Sequence, residues 1–486
     1  MREDVKVALV SNRGPVSFLP DDGGFDTKRG AGGLSGALDP VAQSLGDRAV
    51  WIAAAISKTD RAAVDAGELK RLREELGYPV KLLDIEPETY SRYYDVISNR
   101  MLWFANHCLW DELDIKDFGP QEMEAWEDSY EPVNDLFART VAESADDDWI
   151  VLFQDYHLAL APKYLRSCCP QHTIFHFTHT SFCAEGGLDR LPDPLPRRVI
   201  EGMLGADLVG FHVDPWAREF LKCCERLGFE VDRRAGVVKH GDRRSWVRSY
   251  PIPIDFEDVR QRGSDDEAQS WAKRFLKDAA GSPLIVRADR AEPSKNVVRG
   301  FEAFGRLLDG RPDLAGAKFV ACLYPSRQSM VEYRHYIREI EEIVDKISAQ
   351  HPGSIELFMQ DDYDRTLGAL SVYDVLLVNS MMDGMNLVSK EGPAVNQRDG
   401  VLVLSEGAGS YQELGEHAVQ IHDPRDVDAT VRALESAIDM PREERAARAE
   451  SLRKIVASST PDQWIADQLE DLIAIKEGNP PATPPP

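Results

Sequence analysis

Short apolar runs alternate with charged amphipathic stretches along almost the whole chain. The first half carries "VALVSN", "VWIAAA", "VKLLDI", "WIVLFQ", "TIFHFTH" and "DLVGFH". Runs that are apolar throughout, rather than at every second position, predict strands buried on both faces. Helices between them predict a parallel sheet covered on each side. The pattern breaks at "SYPIPIDFEDV" (249–259), where two prolines interrupt it, and an acidic helix-like stretch follows. It then restarts with "LIVRADR", "AKFVACLY", "SIELFMQ", "DVLLVNS" and "GVLVLSE". The expected architecture is α/β, with two doubly wound Rossmann-like domains facing each other across a cleft. Their expected spans are 1–252 and 253–459. A helix over 460–476 is expected to close the fold, and the tail "EGNPPATPPP" (477–486) to stay disordered, since it has little to bury. Ligands of such sheets bind beyond the carboxyl ends of the strands, so the residues just after each run are the ones to read.

Composition narrows the picture. A chain of 486 residues exceeds one ordinary core. Its net charge is 57 − 83 = −26, which argues against nucleic acid and anionic membranes as main partners. No apolar run approaches the roughly 18–20 residues of a membrane span, and "MREDVKVALVSNRGP" lacks a leader pattern. A cytoplasmic protein is therefore expected. The seven cysteines include the adjacent pairs Cys168/Cys169 and Cys223/Cys224, with no Cys-x-x-Cys. Reduced structural thiols are the expectation. No metal-ligand spacing stands out, and neither a metal nor a cofactor is expected.

Several strand ends carry candidate chemistry. Arg13 ends the first run, and "KRGAGGLSGALDPV" follows with glycines at 30, 32, 33 and 36 before a helix. That loop is either an ordinary turn or a backbone approach to phosphate. Tyr94 and Trp103 belong to the aromatic stretch "ETYSRYYDVISNRMLWFANHCLW", where aromatics serve either the core or a sugar wall. Asp155 follows one buried run, as a turn residue or a hydroxyl acceptor. His179 follows another, and a lone His is more often structural than catalytic.

The second half is more specific. "LIVRADRAEPSKN" places Arg290 and Lys295 in one loop, a pair suited to a diphosphate. Arg327 follows the next run. "VLLVNSMMDGMNLVSKEG" leaves a strand through Asp383 and Gly384 and starts a helix bearing Lys390 and Glu391. Unpaired amides at a helix start suit phosphate, although Asp383 could also act as a cap. Charged residues at several strand ends of one sheet are hard to assign to packing.

Arg13 in "VSNR", the "GAGGL" loop, "QDYHL", "DRAEPSK" and "DGMNLVSKE" occur in one order. Together they resemble the trehalose-6-phosphate synthase family, retaining glucosyltransferases of family 20 with the GT-B fold, from about residue 5 to 475. The resemblance implies that Met385, Asn386, Leu387 and Val388 meet the donor diphosphate through their amides and that Glu391 holds the ribose. Arg290 and Lys295 would neutralise the diphosphate, Asp383 and His179 would touch the transferred glucose, and the Gly33 amide would complete the phosphate cradle. On the acceptor side it implies Arg13, Tyr94, Trp103 and Arg327, with Trp51 and Asp155 lining the same cleft. The implied partners are a nucleoside diphosphate glucose and glucose 6-phosphate. The oligomeric state is left open, a homo-oligomer included.

Departures from the family pattern concern the base and the acceptor. The family's "Thr-x-x-Arg-Asp-Gly" is "NSMMDG" here, with Asn379 and Met382, and Gly392 stands where an aromatic residue is usual. Paired donors on guanine suit one carboxylate, and Asp361 or Asp362 in "MQDDYDR" can supply it, unless it caps the next helix. GDP-glucose is thus expected to outperform UDP-glucose. Rival readings are a sister reaction with a cyclitol or glycerol-phosphate substrate, or a non-catalytic sugar-nucleotide sensor.

Overall fold

The computed structural model describes residues 5–21, 24–29, 33–115, 118–146 and 148–486. The chain divides into two compact units, 1–251 with 462–486, and 252–461. Each is built on its own sheet.

The first unit has a nine-stranded sheet in the order Val80–Leu83, Ala49–Ala54, Val7–Val10, Ile150–Gln154, Thr173–Thr178, Leu208–Phe211, Arg243–Ser249, Val237–His240, Glu230–Asp232. The first seven strands pair in parallel, and the last two pairings are antiparallel. Every apolar run singled out in the first half is a parallel strand. The antiparallel edge is half-exposed, with the burial of an edge ribbon rather than of a central strand. A separate hairpin, Val16–Asp21 with Gly24–Arg29, was equally invisible as an apolar run because its second strand is largely exposed.

The second unit has six parallel strands in the order Ile355–Met359, Lys318–Tyr324, Leu284–Arg290, Val375–Val378, Val401–Ser405, Val419–Ile421. Alternate residues of these strands feed two separate cores. Val286, Val320, Leu376 and Leu402 join one cluster with helices Asp266–Ala279 and Tyr363–Val372. Ile285, Phe319, Leu377 and Val403 join the other with helices Val297–Gly310 and Val331–Gln350. Both sheet faces are dry, which is why the strands read as unbroken apolar runs.

The helix Pro461–Lys476 stands where one was expected, while the tail differs from expectation. The helix packs within the first unit, where Trp464 Nε1 donates to the Tyr250 carbonyl (2.9 Å). The tail is held rather than loose. The buried Asp471 carboxylate accepts the Tyr250 hydroxyl (2.7 Å) and the amides of Ala482 (2.6 Å) and Thr483 (3.1 Å). A tail too polar to build a core is still tied down when a buried carboxylate needs donors.

The cysteines also differ. Cys108 and Cys183 form a disulfide, their Cα atoms 6.2 Å apart across 75 residues of sequence. Asn106 Nδ2 donating to Thr180 Oγ1 (3.0 Å) and Ser181 Oγ donating to the Asn106 carbonyl (2.9 Å) bring the two segments together. Among the described residues the other five cysteines form no disulfide. Among the described residues no helix is long and apolar enough to cross a membrane. Thiol titration of the denatured, unreduced protein is expected to find five thiols, and seven after reduction. Seven before reduction would show that the pair is open in solution.

Candidate active site

In the second unit the loop after Leu284–Arg290 and the loop after Val375–Val378 are clipped together. Met381 N donates to the Ser294 carbonyl (2.8 Å), Asn296 Nδ2 to the Asn379 carbonyl (3.0 Å), and Asn379 Nδ2 to the Asn296 carbonyl (3.2 Å). This gives Asn379, a departure from the family pattern, a structural task. Lys295 Nζ pairs with the Asp383 carboxylate, both side chains being largely buried. Asp383 also accepts from Asn386 Nδ2 (3.0 Å). Both residues are among those read from the sequence, and the structure brings them together.

Asn386 holds a left-handed backbone (φ 73°), a conformation Asn tolerates better than most residues. Its Oδ1 accepts the Ser389 amide (3.0 Å) and so starts the helix Val388–Val395. Asn386, not Asp383, therefore supplies the side-chain acceptor at this helix start. The amides of Met385, Asn386 and Leu387 reach no backbone acceptor among the described residues. Behind this turn runs Gly407–Ser410, where Gly409 N donates to the Asp383 carbonyl (3.1 Å) and Ser410 N to the Met385 carbonyl (2.8 Å). A Cβ on Gly409 would strike the Gly384 carbonyl, so only glycine permits this approach.

Lys390 turns away from the turn. Buried, it pairs with Glu413 (2.7 Å) and donates to the Ile252 carbonyl (2.9 Å). Glu391, its neighbour, has the Tyr363 hydroxyl at 3.4 Å, and burial pushes its carboxyl up from 4.5 to about 7. The pair side by side in sequence thus divides into one anchor and one candidate ligand group.

Arg290 and Arg327 converge on Glu292. Arg290 Nη1 lies 3.1 Å from Glu292 Oε1, and the Arg290 side chain is 41% exposed. Arg327 Nη1 lies 3.3 Å from the same oxygen and 2.6 Å from the Tyr333 hydroxyl. Sequence reasoning passed over Glu292 and also Arg287. Arg287 is wholly buried within its strand, pairs with Asp289 (2.7 Å) and donates to the Lys295 carbonyl (2.9 Å). The signal was present: a charged residue inside an apolar run costs several kcal/mol unless something needs it there. Asp362 is the cap of the helix Tyr363–Val372. It accepts the Arg365 amide (2.9 Å) and pairs with the Arg365 guanidinium (3.3 Å), so both its oxygens are engaged at the helix start. Asp361 is exposed at the end of Ile355–Met359.

In the first unit Arg13 is exposed past Val7–Val10, with Nη2 3.5 Å from the Tyr94 hydroxyl. Tyr94 stacks between Tyr90 (5.5 Å) and His157 (5.6 Å). Asp155 has φ 72° and ψ 168°, a region nearly confined to glycine and costing on the order of 1–3 kcal/mol. Such a strain is kept where it aims a side chain, and Asp155 accepts the His179 amide (3.2 Å). His179 Nε2 is 2.9 Å from Gln154 Oε1, an oxygen that can only accept, so Nε2 carries the proton. Burial first, then His212 and His176, holds His179 well below its ordinary value, and it is neutral at physiological pH.

Two expected acceptor residues are buried. Trp51 is wholly buried, its Nε1 donating to Ser11 Oγ (2.8 Å). Trp103 is buried against the His107 ring (4.0 Å). Both side chains are part of the core, and Trp51 reaches the turn that carries Arg13 through Ser11 Oγ, which donates to the Arg13 carbonyl (2.6 Å). Gly33 opens the helix Gly33–Leu45, while the rest of its glycine loop, residues 30–32, lies outside the described residues. Among the described residues no three His, Cys, Asp or Glu side chains gather as a metal-ligand group.

The family model for glycosyltransferase family 20 matches residues 5–474. The chain belongs to that family. It is a retaining glycosyltransferase with the GT-B fold of two Rossmann-like domains. It is 32% identical to a trehalose-6-phosphate synthase of Mycobacterium sp. (strain KMS), over 98% of this chain and 96% of that protein. It is 29% identical to a UDP-forming alpha,alpha-trehalose-phosphate synthase of Schizosaccharomyces pombe, over 94% and 88%. A crystal structure of a UDP-forming synthase from Burkholderia vietnamiensis matches with a TM-score of 0.82 at 25% identity, over 98% of each chain.

Glu391 has a testable signature. An unfolded chain ionises it near 4.5, and the fold keeps its proton to about 7. Its contribution to stability therefore falls as pH rises through that window and is level above it. Glu391→Gln cannot ionise, so its thermal midpoint is expected to gain on the parent's between about pH 4.5 and 7. Parallel curves would mean a well-hydrated carboxyl.

Proposed function

We propose that this glycosyltransferase moves glucose, with retention, from a nucleoside diphosphate glucose to glucose 6-phosphate. The observation that carries the reading is the grouping of Arg290, Lys295 and Asp383 with the helix-start amides of Met385 to Val388 and with Glu391, all at the strand ends of one sheet. Two cations and a row of amides match a diphosphate, and a carboxylate one turn further matches the ribose hydroxyls. Asp383, pinned by Lys295 and Asn386, accepts a glucose hydroxyl. Arg13, Tyr94 and Arg327 take the acceptor phosphate. Asp155 and His179 hold sugar hydroxyls.

The chemistry is charge stabilisation. The departing phosphate oxygen takes the proton of the attacking acceptor hydroxyl on the same face of the ring. Arg290 and Lys295 neutralise the charge that develops on the diphosphate, work done by a divalent cation in other transferases. His179 stays neutral and contributes a hydrogen bond at Nδ1, not a proton shuttle. Positioning of the two substrates supplies the remainder.

For the base, guanine is the preferred donor base, read by Asp361, which is exposed and free of the capping task that occupies Asp362. Uracil is the competing reading, favoured by the relatives named UDP-forming.

Arg290→Ala or Lys295→Ala is expected to lower kcat about a hundredfold or more, with EDTA changing little. Near-normal turnover in both variants, or loss in EDTA restored by magnesium, would overturn the diphosphate assignment. Side-by-side kcat/KM values are expected to favour GDP-glucose over UDP-glucose, with Asp361→Asn erasing the difference. A UDP-glucose preference in the parent enzyme would assign the base to uracil.

A further inference from the structure

Glu292 stands just past the strand end that carries Arg290, and its side chain is wholly buried. Its Oε1 accepts from Ser326 Oγ (2.9 Å) and faces Nη1 of both Arg290 (3.1 Å) and Arg327 (3.3 Å). Its Oε2 has no hydrogen-bond partner among the described residues. Burial alone would push this carboxyl up, but Arg290, Arg327 and Lys295 outweigh it and hold the group below its ordinary range. As a packing device this is a poor choice, because a buried apolar side chain of similar size is usually as stabilising as a buried ion pair. A shared carboxylate does something an apolar group cannot: it fixes where two guanidiniums point. Arg327 needs such a holder, since it sits on a left-handed backbone (φ 48°) in a different loop, after Lys318–Tyr324.

We propose that Glu292 is a positioning residue that aims Arg290 at the donor diphosphate and Arg327 at the acceptor phosphate, so that one carboxylate oxygen sets both phosphate contacts in the second unit. The proposal rests on the function given above for the two arginines. Glu292 touches neither substrate. It holds the guanidiniums within the small tolerance that transfer demands, where a misplacement of about 1 Å costs on the order of a hundredfold.

The test compares kcat/KM for glucose 6-phosphate with that for unphosphorylated glucose, at a saturating nucleoside diphosphate glucose, in Glu292→Gln, Glu292→Asp and Arg327→Ala. A merely structural defect lowers both acceptors by the same factor and leaves their ratio alone. Glu292→Gln is expected to shrink the preference for the phosphorylated acceptor roughly tenfold or more, the weight of one charge-assisted contact. Glu292→Asp, which keeps the charge, is expected to recover part of it. A folded Glu292→Gln enzyme with the parent's ratio would overturn the proposal. Should the Gln variant fail to fold, Ser326→Ala carries the test: it removes one donor to Oε1 and is expected to lower the ratio several-fold, and an unchanged ratio refutes the role. If Arg327→Ala itself keeps the parent's ratio, the acceptor assignment is what has failed. If Arg327→Ala loses it while Glu292→Gln does not, only the role of Glu292 has.

Discussion

The ion pair between Lys295 and Asp383 joins two loops that leave adjacent strands of one parallel sheet. The placing of these two loops relative to one another depends on that join. The backbone bonds between residues 294–296 and 379–381 set the distance, and the pair fixes where a cation and a carboxylate stand relative to the helix start at Val388. Behind Lys295, the buried Arg287 takes its carbonyl, and Asp289 answers the charge of Arg287. The site is thus supported from inside the sheet by groups that no soluble strand would carry for packing alone. Removing either member of such a pair strands a charge in a dry place, a loss of about 3–5 kcal/mol.

Burial acts on the titratable groups in opposite ways, and their neighbours decide the result. Glu391 is half-buried with only a long contact to Tyr363, so desolvation wins and its carboxyl rises to about 7. Glu292 is more deeply buried, yet three cations overcome desolvation and keep it ionised. Burial first, then two neighbouring imidazoles, disfavours the His179 cation. One rule accounts for all three: count the opposite charges within reach, then weigh them against lost water. A neutral His, an ionised Glu and a carboxyl poised near neutrality give one enzyme three chemically distinct groups from two residue types.

Much of this was legible in the chain. The apolar runs became parallel strands because strands buried on both faces admit almost no polar residue, and the pattern survives any detail of packing. Arg290, Lys295 and Asp383 were legible as strand-end residues for the opposite reason: a charged residue at or soon after the end of an apolar run has left the core, and in such sheets ligands bind beyond the carboxyl ends of the strands. The edge strands Glu230–Asp232 and Val237–His240 were not legible, since a half-exposed edge shows no unbroken apolar run.

What the sequence by itself determined is the α/β class, the two sheets, the family and the charged residues at the strand ends, because each depends on local composition and order. Tertiary structure alone decided which of those residues share a task. It made Asp362 a cap, Lys390 an anchor, Trp51 and Trp103 core, and Cys108 and Cys183 a disulfide partnership across 75 residues. It also bound the proline-rich tail to Asp471 and brought Arg290 and Arg327 to one buried carboxylate. The physical reason is common to all of these. A polar group taken out of water must find its partner in space, and the partner stands on another loop, at a sequence distance that no local pattern encodes.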